Sequence, residues 1–252
     1  MNNIKYPFVV MVCYYGMELR AHRECIDAVK AAGVPFLPVY DCPYLDIARS
    51  HAVTQALKQC PEAEGVMFID HDIHGFDAND VIGFCQRALL KKADVVVGAY
   101  SLRRPGFMVT VQPLDDKPVE FYVPGYRKAK YGGTGWMFIS RKALEALDVG
   151  THYVSCVRQD VTMYFAPYVK DGAYHPDDVG FCYRVRDNGG TVWIDQQIRI
   201  LHRGAYDYAL EDAGLSVPNY AKLTMNFDPA PVPNGVSDVR QPDTERALGG
   251  SQ

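Results

Sequence analysis

The chain has 252 residues, of which 48% are hydrophobic and 22% are charged, and its formal net charge is −4. This length suits one large α/β domain and is too short for two full domains. The composition excludes a membrane-spanning protein, since no apolar run approaches roughly 18–20 residues, and neither a signal-peptide pattern nor a basic charge balance is present.

The cysteines indicate a reducing compartment. Seven are present, an odd number without a Cys-x-x-Cys pair, and Cys13 and Cys85 lie within apolar runs. Disulfide frameworks and zinc sites need paired or closely spaced cysteines. We therefore expect reduced, mostly buried thiols in a cytoplasmic protein.

Strands and helices alternate over the first hundred residues. Short apolar runs predict strands at residues 8–12, 36–40, 66–69 and 94–99. Helical spacing of apolar residues predicts helices at residues 18–32, 46–57 (with Asp46 as the cap) and 79–91. This alternation predicts an α/β fold with a mainly parallel central sheet that is flanked by helices on both faces.

The second half of the chain has a less regular pattern. An antiparallel pair of strands is expected at residues 107–112 and 119–123, in a segment that contains proline, glycine and basic residues. Apolar runs predict further strands at residues 136–139, 191–194 and 198–201. This half therefore combines the sheet with a smaller antiparallel part.

Two helices and a tail complete the predicted elements. Ser140 is expected to cap a short helix that ends near Leu147. A longer helix is expected over residues 177–188, where two glycines stop it. Residues 228–252 are rich in proline and are expected to form an extended or disordered tail.

Two carboxylates, Asp70 and Asp72, follow the third predicted strand. Side chains two residues apart in extended chain point the same way, so both can converge at the edge where open α/β sheets bind ligands. Two such oxygen ligands suit Mg²⁺ or Mn²⁺ that holds a diphosphate. The alternative is that Asp72 caps a turn and that Asp70 is only solvated.

Charge is distributed unevenly along the chain. Residues 101–142 carry eight Lys or Arg against three acids, a local charge of +5, so the remainder carries −9. Aromatic residues interleave with these cations. Such a mixture suits a phosphate-bearing or stacked acceptor, although an ordinary solvated loop has the same composition.

Five segments follow one another in a characteristic order. They are Tyr14-Tyr15-Gly16, residues 46–53 with Ala48, Arg49 and Val53, residues 68–72 with Asp70 and Asp72, the glycine-rich residues 132–137, and residues 176–204 with Asp177, Asp178, Asp195 and His202. In this order they resemble the GT-A class of glycosyltransferases, most closely its small phage-type members. The resemblance covers roughly residues 9–204. Each segment alone is weak, whereas the five together are specific.

The resemblance implies a domain organisation and shows two departures. It implies one Rossmann-like GT-A domain at residues 1–227, with a nucleotide-binding half at about 1–100 and an acceptor half at about 101–227. The family usually has Asn where this chain has Ser50, and Glu where it has Asp177. Both changes are chemically mild, so they bear on donor contacts rather than on the class.

The resemblance also implies the ligands of a metal-dependent transferase. Its cofactors would be Mn²⁺ or Mg²⁺ and a nucleotide-diphosphate sugar, with UDP as the nucleotide. Asp72 would bind the metal directly, His202 would be a further ligand, and Asp70 would contact the ribose or a metal-bound water. A divalent cation neutralises the phosphate that departs. The alternative for His202 is a structural histidine at the end of a strand.

Arg49 and Asp178 would act on the substrates. Arg49 lies one helical turn beyond Asp46, where its guanidinium can bind a phosphate or the nucleobase; a surface salt bridge is the alternative. Asp178 is the predicted general base of an inverting transfer. At the start of a helix the dipole favours its charged form. In the alternative, Asp178 only complements that dipole, and Asp177 is the expected cap.

The remaining predicted contacts come from aromatic residues and glycine. Tyr14 or Tyr15 would stack on the nucleobase, although burial of either ring is an equal alternative. Gly135 and Trp136 would line the pocket for the donor sugar or the acceptor, with a core position for Trp136 as the alternative.

The acceptor remains open between several hydroxyl compounds. A hydroxymethylated pyrimidine in phage DNA would suit the basic, aromatic segment and would have to be flipped or reached through a groove, in which case the enzyme would work in the host cytoplasm. A surface glycan or a protein hydroxyl is the alternative.

Two other classes of protein fit the sequence less well. A sugar nucleotidyltransferase would carry a Gly-rich, basic loop where Tyr14-Tyr15-Gly16 stands. A degenerate transferase that is kept only as a binding module would have lost some of the carboxylates of the five segments, and this chain retains them. The sequence sets neither the sugar nor the oligomeric state.

Overall fold

The structure of the chain is a computed structural model that describes residues 6–208, apart from residues 17, 104–108, 116, 118 and 205–206. The predicted tail at residues 228–252 and part of the strand predicted at 107–112 lie outside the described residues. The domain boundary expected near residue 227 also lies outside them and stays a prediction.

The described helices and strands follow the predicted alternation in the first half of the chain. The elements up to the fifth strand are β1 (Phe8–Tyr14), α1 (Arg20–Ala31), β2 (Phe36–Tyr40), α2 (Leu45–Gln59), β3 (Gly65–Ile69), β4 (Ile73–His74), α3 (Ala78–Leu90) and β5 (Val95–Gly98). The later elements are β6 (Val111–Pro113), β7 (Tyr126–Gly132), β8 (Trp136–Ser140), α4 (Arg141–Glu145), β9 (Thr151–Val154), β10 (Gln159–Thr162), β11 (Tyr168–Lys170), β12 (Ala173–His175), α5 (Asp177–Asp187), β13 (Val192–Asp195), β14 (Leu201–Arg203) and β15 (Asp207–Tyr208).

Within the described residues, a central sheet of eight strands runs in the order β2-β1-β3-β8-β5-β13-β7-β6. Strands β1, β2 and β3 are parallel to one another, and so are β5 and β13. Strands β8 and β7 run the opposite way, and β6 pairs antiparallel to β7. Six strands thus share one direction, so the predicted α/β class with a mainly parallel sheet is confirmed.

Helices cover both faces of this sheet because each presents one apolar stripe to it. On one face α2 and α5 bury residues such as Ala52, Val53 and Phe181 against the strands. On the other face α1 and α3 bury residues such as Ile26 and Phe84. None of the described helices combines the length and apolar composition needed to cross a bilayer.

The antiparallel part differs from the prediction. Residues 119–123 form no strand; instead β6 pairs with β7, with a bulge near Gln112. The expected strand at 198–201 begins only at Leu201, as β14. Two hairpins, β9–β10 and β11–β12, were not expected. Their short strands are largely solvent-exposed and lack the alternation of apolar and polar residues from which strands are predicted.

A second, small sheet of the described residues has the order β15-β14-β4. Its register places His202 opposite Ile73, and the Arg203 N–H donates to the Asp72 carbonyl at 2.8 Å. The small sheet therefore brings a histidine from late in the chain to the carboxylates that follow β3.

Candidate functional site

A cleft opens at the carboxyl ends of β1, β2 and β3, where the sequence predicted ligand binding. It is lined by Cys13, Tyr14, Tyr15, Cys42, Leu45, Arg49, Asp70, His71, Asp72 and Arg103. Five of the predicted site residues are therefore together at this edge: Tyr14, Tyr15, Arg49, Asp70 and Asp72.

Arg49 lies at the base of the cleft and is only 3% exposed. Its guanidinium donates to both carboxylate oxygens of Asp70 at 3.1 Å and to Asp177, the first residue of α5. Burial opposes the positive charge, but Asp70, Asp177 and Asp178 outweigh it and raise the pKa of Arg49. The residue is therefore a buried ionic bridge rather than a surface salt bridge.

Asp70 and Asp72 do not extend the strand as predicted. The Ile73 N–H donates to the Asp70 carbonyl at 3.0 Å, so residues 70–73 form a turn. The two carboxylates consequently have different partners: Asp70 faces Arg49, whereas Asp72 faces Arg103 and His202. The expectation that both converge on one metal is not supported by these contacts.

His202 is held by a hydrogen bond on the far side of its ring. Its Nδ1 lies 2.7 Å from the Ser101 carbonyl, which can only accept, so Nδ1 carries the proton. Its Nε2 lies 3.4 Å from Asp72 Oδ2. The protonated ring donates to that carboxylate through Nε2, whereas the neutral ring offers the Nε2 lone pair to a cation. A histidine oriented through its other nitrogen in this way is typical of metal ligands.

Asp72 is a buried carboxylate whose two oxygens have different surroundings. It is 7% exposed, and its Oδ1 is buried without a hydrogen-bond partner among the described residues. Its Oδ2 accepts an ion pair from Arg103 at 2.8 Å. Burial disfavours the charge, yet the hydrogen bond from His202 and then the charge of Arg103 hold the pKa of Asp72 below its ordinary value.

Asp72 and His202 fit a divalent cation as two of its ligands. Within the described part of the chain, no cluster of three or more His, Cys, Asp or Glu side chains is arranged to hold a metal. The remaining ligands would therefore have to be water or oxygen atoms of the bound substrate, as is usual for Mg²⁺ held by phosphates. The orphaned Asp72 Oδ1 supplies the hard donor that such an ion requires.

Asp178 is the second residue of α5, within electrostatic range of Arg49, but its environment differs from the expected one. Pro176 is the helix cap, and Asp177, expected to be the cap, binds Arg49 instead. The Val179 N–H donates to Asp178 Oδ1 at 2.7 Å. Burial outweighs the charge of Arg49 and the Val179 hydrogen bond and raises the pKa of Asp178, so the net shift is opposite to the lowering expected from the helix dipole.

The tyrosines near the first loop divide between core and cleft. Tyr14 is 7% exposed, stacks on Tyr40 at 5.1 Å between ring centroids and meets His22 edge-on. Tyr15 is 61% exposed beside the cleft. Of the two, Tyr15 has the free ring face that stacking on a nucleobase would need.

Trp136 and Gly135 are not lining residues of the cleft. Trp136 is fully buried, with its ring edge-on to Phe76 and Phe84 at 5.0 and 5.7 Å. A Cβ at Gly135 would lie 2.4 Å from the Tyr100 hydroxyl oxygen. This glycine therefore makes room for a side chain of the core, and the expectation of a ligand pocket at these two residues is corrected.

Tyr100 is a site-organising residue that sequence reasoning missed. Its hydroxyl accepts the Gly135 N–H at 2.9 Å, and the Gly135 carbonyl accepts the Asp70 N–H at 3.1 Å. Its ring packs edge-on against His202 at 5.1 Å. One sequence feature could have identified it: Tyr100 comes directly after the strand predicted at 94–99, just as Asp70 comes directly after β3.

Comparisons with known proteins support the fold and go no further. No protein-family model and no curated protein matches the chain. A197 from STIV has a similar structure, with a TM-score of 0.51 and 16% identity over 78% of this chain and 85% of that one. The chain therefore shares its fold with A197.

More distant matches include two glycosyltransferase-related structures. GalNAc-T7, solved with UDP, GalNAc and Mn²⁺, gives a TM-score of 0.43 and 8% identity over 80% of this chain and 44% of that one. A glycosyltransferase involved in the glycosylation of the major capsid of PBCV-1 gives 0.34 and 14% over 55% and 61%. Likeness at this level carries no argument about activity.

Replacing Arg49 tests whether the buried bridge stabilises the fold. We expect Arg49→Gln to lower the free energy of unfolding by up to about 3–5 kcal/mol at pH 7, because the partly buried carboxylates of Asp70 and Asp177 would lose their counter-ion. Arg20→Gln is the matched control: Arg20 pairs with Glu24 at the surface, and its loss should cost less than about 1 kcal/mol. Equal losses of unfolding free energy for the two variants, measured by urea denaturation, would contradict the stabilising role of the Arg49 bridge.

The raised pKa of Asp178 predicts that Asp178→Asn increases the stability of the fold by an amount that depends on pH. An acid whose pKa is higher in the folded state destabilises the fold once it ionises. The melting temperature of the variant should therefore rise above that of the wild type as pH increases from about 4 towards neutrality. Asp187→Asn should show the opposite trend, since the hydrogen bond from Lys170 lowers the pKa of Asp187. Parallel pH profiles for both variants would contradict this assignment.

Proposed function

We propose that the chain is a metal-dependent glycosyltransferase that moves a sugar from a nucleotide diphosphate, with UDP as the expected nucleotide, to a hydroxyl acceptor. One arrangement carries this proposal: the Arg49 bridge to Asp70 and Asp177 and the pair formed by Asp72 and His202 meet at the ligand-binding edge of an α/β sheet. The order of the five sequence segments that resemble GT-A enzymes supports it.

Asp72 and His202 are the proposed protein ligands of Mn²⁺ or Mg²⁺. When bound there, the cation would act as a Lewis acid on the departing diphosphate. Arg103, which contacts Asp72 Oδ2 at 2.8 Å, would leave that oxygen and pair with a phosphate, since a guanidinium suits phosphate geometry. Asp70, fixed by Arg49, would orient the ribose, and Tyr15 would contact the nucleobase.

Asp178 is the proposed general base of an inverting transfer. A base works best when its pKa lies near the working pH, and burial moves the pKa of Asp178 in that direction. Arg49 lies near enough to keep the ionised form accessible, because its charge partly opposes the effect of burial. Asp178 would take the proton of the acceptor hydroxyl as that oxygen attacks the anomeric carbon.

The acceptor is proposed to be a sugar hydroxyl, with a hydroxymethylated base in DNA as the second candidate. DNA binding needs cations that follow the phosphate backbone on one surface. Cations of the basic segment have dispersed partners: Arg103 with Asp72, Arg127 with Asp115, Lys128 with the Trp193 ring, Arg141 with the Cys60 and Ala63 carbonyls, and Lys142 with Asp94. Arg141 and Lys142 follow β8, whose end pairs with the start of β3, opposite the cleft. This dispersal of the cations disfavours DNA as the acceptor.

Nucleotide release from a panel of UDP- and GDP-sugars with Mn²⁺ tests the proposal. We expect the wild type to release nucleotide and Asp72→Asn to do so at least about 100-fold more slowly, because removal of a metal ligand forfeits several kcal/mol of transition-state stabilisation. UDP with Mn²⁺ should also raise the melting temperature of the wild type but not of the variant.

Asp148→Asn is the matched control, since Asp148 is exposed in the loop after α4. It should behave as the wild type in both measurements. Release that does not depend on the metal, or that survives in Asp72→Asn, would contradict the assigned ligands. A wild type that neither turns over nor is stabilised by any nucleotide sugar would contradict the function itself.

A further inference from the structure

Three aromatic rings form a cluster around α5, the helix that carries Asp178. Tyr183 of α5 lies 4.5 Å from His175 and 6.2 Å from Tyr131 between ring centroids, at interplanar angles of 41° and 50°. All three side chains are partly exposed. We call Tyr131, His175 and Tyr183 the aromatic platform; none of them was predicted as a site residue.

Separate elements hold the platform together. The hairpin β11–β12 places His175 opposite Tyr168, whose hydroxyl donates to Asp187 of α5 at 3.0 Å. Lys170 of the same hairpin also donates to Asp187. These bonds fasten the hairpin along α5, so the ring of His175 lies against that of Tyr183.

The third ring is fixed to α5 from the side of the central sheet. Tyr131 lies in β7 next to Gly132, whose carbonyl accepts a hydrogen bond from the Cys182 thiol at 3.7 Å. Burial first, and then Tyr183 and Asp178, raise the pKa of Tyr131. The Tyr131 hydroxyl is therefore within electrostatic range of both Tyr183 and the proposed base, Asp178.

The chemistry of the platform suits a sugar ring. Aromatic side chains offer apolar faces together with polar hydroxyl or imidazole groups, which match the C–H face and the hydroxyl edge of a pyranose. Lys170 and Arg186 lie over the Tyr183 ring at 5.6 and 5.7 Å, but Lys170 is already paired with Asp187. Among the described residues, these two cations, of which Lys170 is already paired, do not form the row of cations that a phosphate backbone requires.

We propose that the aromatic platform is the acceptor subsite and that it binds a saccharide with one hydroxyl beside Asp178. This inference rests on the proposed function and names its acceptor. In the transfer, the acceptor oxygen forms a bond to the anomeric carbon of the donor, and its proton passes to the Asp178 carboxylate. The bond from that carbon to the phosphate oxygen breaks, and the nucleoside diphosphate leaves with the electron pair.

Direct binding of methyl glycosides tests the subsite without relying on turnover. Saturation-transfer NMR on the full chain with UDP and Mn²⁺ would use the methyl glycosides of glucose, galactose, mannose and N-acetylglucosamine. We expect at least one to bind and Tyr183→Ala to weaken its affinity about tenfold, which corresponds to ~1.4 kcal/mol. His175→Ala is a second variant in case Tyr183→Ala does not fold.

Tyr153→Ala is the matched control, because Tyr153 is 67% exposed on β9 and outside the platform; its glycoside affinity should match that of the wild type. In turnover, Tyr183→Ala should raise KM for the saccharide far more than KM for the nucleotide sugar.

Three results would overturn the proposal. The first is that no glycoside binds. The second is that the platform variants and the wild type bind glycoside with equal affinity. The third is that a single-stranded oligonucleotide containing hydroxymethylcytosine displaces the bound glycoside whereas no other glycoside does. Glycoside binding that depends on Tyr183, in a chain that turns over no nucleotide sugar, would refute the proposed function but keep the saccharide subsite.

Discussion

A single buried guanidinium group connects the two halves of this protein. Arg49 comes from a helix of the first half and binds Asp70 after β3, while its other nitrogen binds Asp177 at the start of α5. The same three residues fix the cleft edge and the helix that carries Asp178. Because a buried cation must be matched by anions, the positions of these carboxylates depend on one another.

This coupling explains why Asp177 and Asp178 lie in different electrostatic environments although they are neighbours in the sequence. Asp177 is the counter-ion of Arg49. Asp178 is partly buried near Arg49 but is not its hydrogen-bonded partner, and burial raises the pKa of Asp178. Two adjacent carboxyl groups in different environments can thus serve one as a structural anion and the other as a proton acceptor.

Local patterns predicted the regular part of the fold well. The apolar runs at β1, β2 and β3 and the helical stripes between them identify their elements directly, since they bury one face or both. The site was predicted less completely because its chemistry depends on long-range pairing. No local pattern indicates that β4 and β14 pair and so bring His202 to Asp72; that both residues serve one site was expected only from the resemblance to GT-A enzymes.

The expectations for Gly135 and Trp136 failed because one residue type can serve either the core or a ligand site. The glycine-rich segment before β8 resembles a ligand loop, yet Gly135 is explained by the close approach of the Tyr100 hydroxyl. Trp136 likewise packs between core rings rather than against a substrate. Glycine accommodates a core side chain as readily as a ligand, so sequence alone does not separate these two interpretations.

The central claim is that Asp72 and His202 hold the cation of a bound nucleotide diphosphate. Crystals of the full chain grown with UDP and Mn²⁺, measured by anomalous diffraction at the manganese edge, test it most directly. The account predicts an anomalous peak at about 2.0–2.4 Å from an Asp72 oxygen and from His202 Nε2, with Arg103 moved away from Asp72. Nucleotide bound in the cleft without that peak, with Arg103 still on Asp72, would contradict it.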